Sequence, residues 1–230
     1  AKPNPAPAAT SVAAEPPAQV EPLPFNAGGL LGTNAQPTFA EGEPDEVSVV
    51  QIGPLEKPGI GALLLFAFRN NTPEAISHVD WSATARSGGS VVATGSSQGT
   101  TPSVVQPGEV GLSYIYFESG ESIPEGTEYE FDVSPSPADT SSYNTAPMTV
   151  TEANLVGDAI VGAAVNDTGA DTAGPYSVGV YCFEGDNIVG QLGGFTEQDT
   201  LAAEATGSFT VSLYGDSCPT YAVGVSGYYD

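Results

Sequence analysis

The chain has almost no positive charge: four Lys and Arg stand against 28 Asp and Glu, for a formal net charge of −24. Lys2, Lys57, Arg69 and Arg86 are too scattered to build the cationic patch that nucleic acid, an anionic membrane or a phosphate group requires. No nucleic-acid partner is expected on that ground. Charged residues make up 14% of the chain, against about 25% in an average soluble domain, so the imbalance comes from leaving out bases rather than crowding in acids. Histidine occurs once, as His78, and a nucleophile needs a base beside it. Gly111-Leu112-Ser113-Tyr114-Ile115 opens like a nucleophile elbow but lacks the closing Gly. No catalytic residue is assigned and the chain is not expected to be an enzyme. Long apolar runs are missing too. Ile60 to Phe68 is strand-sized, far short of the roughly 20 residues of a membrane-spanning helix, so no transmembrane span is expected.

What the chain does have is 20 Pro and 28 Gly in 230 residues, among many Val, Thr, Ser and Tyr. That composition disfavours long helices and predicts an all-β fold. The sequence opens on Ala followed by a Pro/Ala run, which reads as a mature N-terminus left by a removed signal peptide. In an exported chain the two cysteines, Cys182 and Cys218, are expected to form a disulfide rather than a metal site or nucleophile. The 36-residue separation would be worth about 4 kcal/mol in the chain-entropy model.

Residues 1–45 carry isolated apolar side chains among Pro, Ala, Gly and Glu, with no helix or strand period, and read as an extended arm or linker. After the arm the chain repeats itself. Ile60 to Arg69 runs into Asn70-Asn71-Thr72, and Ala159 to Val165 runs into Asn166-Asp167-Thr168. Strict alternation follows in both copies, Val79, Trp81, Ala83 and Ala85 against Tyr176, Val178, Val180 and Cys182, which marks strands with one buried face. A Gly turn and a short Val/Ile strand complete a hairpin in each. Pro107-Gly108-Glu109 then leads into Val110 to Phe117, as Ala203-Glu204 leads into Ser208 to Tyr214. The reading is two tandem immunoglobulin-like β-sandwich domains, 46–134 and 148–230, joined by a linker at 135–147.

This order of strands and turns resembles the FxLYD-type immunoglobulin-like domains of exported bacterial and archaeal proteins, over residues 47–133 and 148–229. Phe209, Leu213, Tyr214 and Asp216 fall near the place of that signature in the second copy. The resemblance implies the fold and an extracytoplasmic location, secreted, surface-bound or periplasmic, in a prokaryote. It brings no catalytic residues with it.

Four features bear on binding. Asn70 and Asn166 head formal glycosylation sequons, but their matching place points to turn chemistry, because Asn bonds to the backbone two residues on. Trp81 could stack on a sugar ring, yet it shares parity with Val79, Ala83 and Ala85 and is expected inside, while Tyr228 and Tyr229 could be exposed. Asp167, Asp171, Glu184, Asp186, Asp199 and Asp216 fall at turns where carboxylates would suit a structural Ca²⁺; no other cofactor is expected. Finally, the first copy is apolar on both faces of its strands. Leu64, Phe66 and Phe68, with Ile115 and Phe117 and the arm's Leu23 and Phe25, are expected to form an interface, the extra apolar face packing against the N-terminal arm, the second domain or a partner subunit. The functional expectation is a non-catalytic structural or accessory subunit of a cell-surface, filament or periplasmic assembly, with protein subunits or further copies of this chain as partners. The alternative is a polysaccharide-binding module.

Overall fold

The computed structural model describes residues 23–26, 30–32 and 35–230. Among them are sixteen strands, one 3-10 turn at Gly120–Ser122 and no α-helix, and every strand pairing is antiparallel. The all-β expectation holds. Among the described residues no helix is long and apolar enough to cross a membrane.

The arm contributes two short strands, β1 (Leu23–Asn26) and β2 (Leu30–Gly32). Seven strands then form a first unit: β3 (Val47–Glu56), β4 (Ala62–Asn70), β5 (Ile76–Ser87), β6 (Ser90–Thr101), β7 (Val104–Val105), β8 (Val110–Phe117) and β9 (Glu128–Pro137). Their order is β3-β4-β8-β6-β5-β9, with β7 at the start of β5. β6 pairs with β5 through its first half and with β8 through its second, so the sheet folds over and encloses an apolar interior. A second unit follows in the same succession: β10 (Thr145–Val156), β11 (Ala159–Val165), β12 (Thr172–Glu184), β13 (Asn187–Phe195), β14 (Thr200–Leu201), β15 (Thr206–Ser212) and β16 (Tyr221–Tyr229). Here β10 is the strand that changes sides, pairing with β16 up to Met148 and with β11 from Thr149. The strands leave only residues 138–144 between the units. The arm's β2 pairs with Ala222 and Val223, extending β16 beyond the reach of β10.

One polar device is built twice. Asn70 and Asn166 are sealed from solvent at the ends of β4 and β11. The Asn70 Nδ2 donates to the carbonyls of Glu74 (2.8 Å) and Val105 (3.0 Å), and its Oδ1 accepts from the Thr72 amide and hydroxyl. Asn166 repeats this with Ala170 (2.8 Å), Leu201 (2.9 Å) and Thr168. Even the backbone bonds match, Asn70 pairing with Gly108 and Glu109 and Asn166 with Glu204 and Ala205. Gly108 and Glu204 both hold positive φ. Both amide hydrogens of each Asn are engaged, so neither sequon is presented to a glycosylating enzyme by the folded chain.

The interior of the first unit holds Leu64, Phe66, Phe68, Ile115 and Phe117, packed with Trp81. The expected partner interface is therefore corrected for these five: they are core side chains. Trp81 is 3% exposed and meets Phe66 edge-on at 5.3 Å. The face that needs a cover is the opposite one, Leu65, Ala67 and Leu112. It is covered within the chain by Tyr181, Phe183, Ile188 and Ala222 of the second unit and by Ala35 and Phe39 of the arm. The side chains of Leu23 and Phe25 lie outside the described residues.

Replacing Asn70 or Asn166 by Ala removes the buried amide's bonds to the turn carbonyls and to the Thr72 or Thr168 amide, and is expected to destabilise by on the order of 3 kcal/mol. Urea unfolding checks this, and a loss below 1 kcal/mol at both sites would show that the paired networks do not hold the turns.

Candidate functional site

The strand that the second unit turns toward the first is β12. Its alternation sends Tyr176, Val178, Val180 and Cys182 into the second core, which leaves Ser177, Gly179, Tyr181 and Phe183 on the outward face. Antiparallel register with β13 and β16 sorts the outward residues into rows. Tyr181 stands between Gln191 and Ala222, Gly179 between Gly193 and Gly224, and Ser177 between Phe195 and Ser226. The three rows do different work.

The Tyr181 row lies under the first unit and is buried against it. Burial pushes the Tyr181 phenol well above its ordinary value, opposed by a hydrogen bond from Thr101. The glycine row lets the first unit approach the strand closely, the usual meaning of Gly inside a strand. A Cβ on Gly179 would meet the Thr101 Oγ1 at 2.7 Å, so the end of β6 rests on a strip with no side chains. Beyond that strip the units diverge and the Ser177 row is open.

The result is a cleft of about 680 Å³ between the units, within the range of small-ligand sites. Its first-unit wall is the bulged start of β5, at His78 to Asp80, and the segment Ser97 to Ser103. Thr100, Ser103 and Thr145 line it, and each has a buried hydroxyl oxygen with no hydrogen-bond partner among the described residues. Ser103 is 7% exposed. Unsatisfied buried polar groups are rare in native proteins and call for a partner. Among the described residues Asp80 is the sole carboxylate lining this cleft, in a chain with 28 acids. At the mouth stand Phe195, 63% exposed, and Tyr228, 38% exposed.

The residues singled out from sequence fall as follows. Cys182 and Cys218 form a disulfide, both sulfurs buried under the sheet whose other face floors the cleft. His78 is exposed with φ 46° and lines the first-unit wall. Ser113 is buried and its hydroxyl donates to the Gly99 carbonyl, fixing the cleft wall from behind. The turn carboxylates do not converge: among the described residues no three His, Cys, Asp or Glu are grouped as a metal would need. Several serve locally instead, Asp186 accepting from the Thr38 amide, Asp167 from the Thr149 hydroxyl and Asp171 from the Ala203 amide. Tyr228 reaches the cleft, whereas Tyr229 packs half-buried on the second core. Phe195 and the serine and glycine rows were not identified from sequence. Gly179, Gly193 and Gly224 were the available signal, three glycines at strand positions.

Glu56, at the end of β3, is half-buried at the unit interface. Burial raises its carboxyl pKa, Asp216 adds to the rise, and the Gln191 amide opposes it. Matched against known families, the chain fits no family model, and no curated protein matches it.

Two outcomes follow from this geometry. A raised folded pKa favours the neutral acid, so the Glu56 contribution to stability is fully present below the unfolded value and lost as pH rises through the folded one. Glu56→Gln is therefore expected to raise the melting temperature at pH 7 but not at pH 4, and an equal effect at both would remove burial as the cause. Gly179→Val forces a side chain against Thr101 and is expected to cost about 1–3 kcal/mol. Small-angle scattering should show the units splayed; an unchanged envelope would mean that the glycine strip does not set their approach.

Proposed function

We propose that this chain is a non-catalytic, extracytoplasmic binding protein of a prokaryote, built from two tandem immunoglobulin-like sandwiches related to the FxLYD type, with its ligand site in the cleft between them. The observation that carries the reading is the lining of that cleft: rich in serine, threonine and glycine, with one carboxylate among the described residues, in a chain whose net charge is −24. A cleft kept free of the charge that dominates the rest of the chain suits an uncharged, polar ligand. The disulfide supports an oxidising location. The expectation of an assembly subunit drew on the surplus apolar face of the first unit, and that face is occupied inside the chain by Tyr181, Phe183 and Phe39, which favours the binding role.

The test is thermal stabilisation of the whole chain by a panel of neutral and charged small ligands. Neutral polar ligands are expected to raise the melting temperature, by the equivalent of about 2.7 kcal/mol at a hundredfold excess over the dissociation constant, with little dependence on salt. Gly193→Trp supplies the control. A Cβ there meets nothing closer than 3.8 Å, so the side chain can start into the cleft; the indole is expected to abolish the shift, and an unchanged melting curve of the unliganded variant establishes that it folds. Stabilisation by anions alone, or a shift that survives Gly193→Trp, would overturn the assignment.

A further inference from the structure

The cleft has a second property beyond its lack of charge: its mouth is flanked by aromatic rings set apart on one sheet. Phe195 ends β13 and pairs with Ser177, which pairs in turn with Ser226. Tyr228 lies two residues beyond Ser226 on β16. Two strand spacings across and two residues along place their backbones about 12 Å apart, wider than a single six-membered ring. Between them the floor is Ser177, Ser226 and bare glycine backbone, and the opposite wall offers Thr100 and Ser103.

Few ligands match such a surface. Hydroxyl side chains both donate and accept, so they suit a ligand rich in hydroxyls of its own. Exposed rings suit a ligand with apolar C–H faces. The shortage of bases and the field of the acidic chain disfavour polyanions. A pyranose chain combines apolar ring faces, a rim of hydroxyls and no charge, and its successive rings can reach both aromatics. We propose that the cleft takes a linear, uncharged polysaccharide, with one sugar stacked on Phe195, another on Tyr228, and the intervening hydroxyls bonded to Ser177 and Ser226. This rests on the reading of the cleft as the ligand site.

The experiment is titration calorimetry of the full chain with neutral oligosaccharides of increasing length, α- and β-linked. Affinity is expected to rise from single sugars to longer oligomers and then level off. Phe195→Ala and Tyr228→Ala should each weaken binding of the long oligomers about tenfold, roughly the scale of one aromatic contact. Tyr228→Phe keeps the ring and should keep most of the affinity. Both rings are exposed, and unchanged melting curves would establish that the variants fold. Length-independent affinity, or binding indifferent to both Ala variants, would overturn the glycan assignment. So would preferential capture of an extended peptide or another neutral ligand in the cleft, blocked by Gly193→Trp; that outcome leaves the cleft as a ligand site. If neither sugars nor any other neutral ligand bind in a way that Gly193→Trp blocks, both readings fall together.

Discussion

The structure depends on one apolar contact, the outward face of β4 and β8 laid against the outward face of β12, β13 and β16. Both units are acidic, and two acidic bodies repel, so no Coulombic attraction is available to join them. Burial is indifferent to charge. Leu65, Ala67 and Leu112 lose their water to Tyr181, Phe183, Ile188 and Ala222, and the arm adds Ala35 and Phe39. At roughly 2 kcal/mol for each large side chain fully buried, a handful of such contacts outweighs a repulsion that physiological salt confines to within about 8 Å. Hydrogen bonds then fix the register of the contact. The Gln51 side chain donates to the Asp186 carbonyl and accepts from the Ile188 amide, tying β3 to the tip of the β12–β13 hairpin. Held along this side, the two sheets part beyond the glycine row, and that parting is what makes a cleft.

The two units are copies that kept their polar joints and exchanged their apolar volumes. Asn70 and Asn166 close the same turn with the same partners, because a buried amide with every donor and acceptor used tolerates no replacement. The packing is looser in its demands and was traded across strands. In the first unit Phe66 lies opposite Ser113, and in the second Gly162 lies opposite Phe209. The ring has moved from one strand to its neighbour: a Cβ on Gly162 would run into the Phe209 ring. A core conserves total volume more strictly than the position of any one side chain.

That distinction governs how far the sequence could be read. Alternation in β5 and β12 announced strands with one buried face, and the paired Asn-Xaa-Thr turns announced their role through chemistry local to three residues. The parity of β4 was not readable. Leu63 to Phe68 is apolar at every position, so period two gives no sign of which set faces the interior, and the set with the larger rings, Phe66 and Phe68, proved to be core while Leu65 and Ala67 face the second unit. The cleft was less readable still. Thr100, Ser103, Thr145, Ser177 and Phe195 come together only when the units dock, and no local pattern encodes a meeting of segments so far apart in the chain. Only the glycines at 179, 193 and 224 hinted that something approaches the sheet closely.

The acids lie mostly on edges, turns and other exposed surfaces. On β9, which among the described residues pairs only with β5, Glu128, Glu130 and Asp132 are exposed and alternate with half-buried Tyr129, Phe131 and Val133. Charges along an unpaired edge block the addition of a strand from another molecule. Others cap turns or, like Asp186, hold the arm in place. Acidity thus serves solubility and edge protection on the surfaces that should attract nothing, and it thins to the single carboxylate of Asp80 where the surface turns concave. A strongly acidic protein holds a cation readily and an anion poorly; a neutral ligand is the one class whose binding its field leaves almost untouched. Seen that way, the charge of the chain and the hydroxyl lining of the cleft follow from the same constraint, since affinity that ignores the field has to come from contact alone.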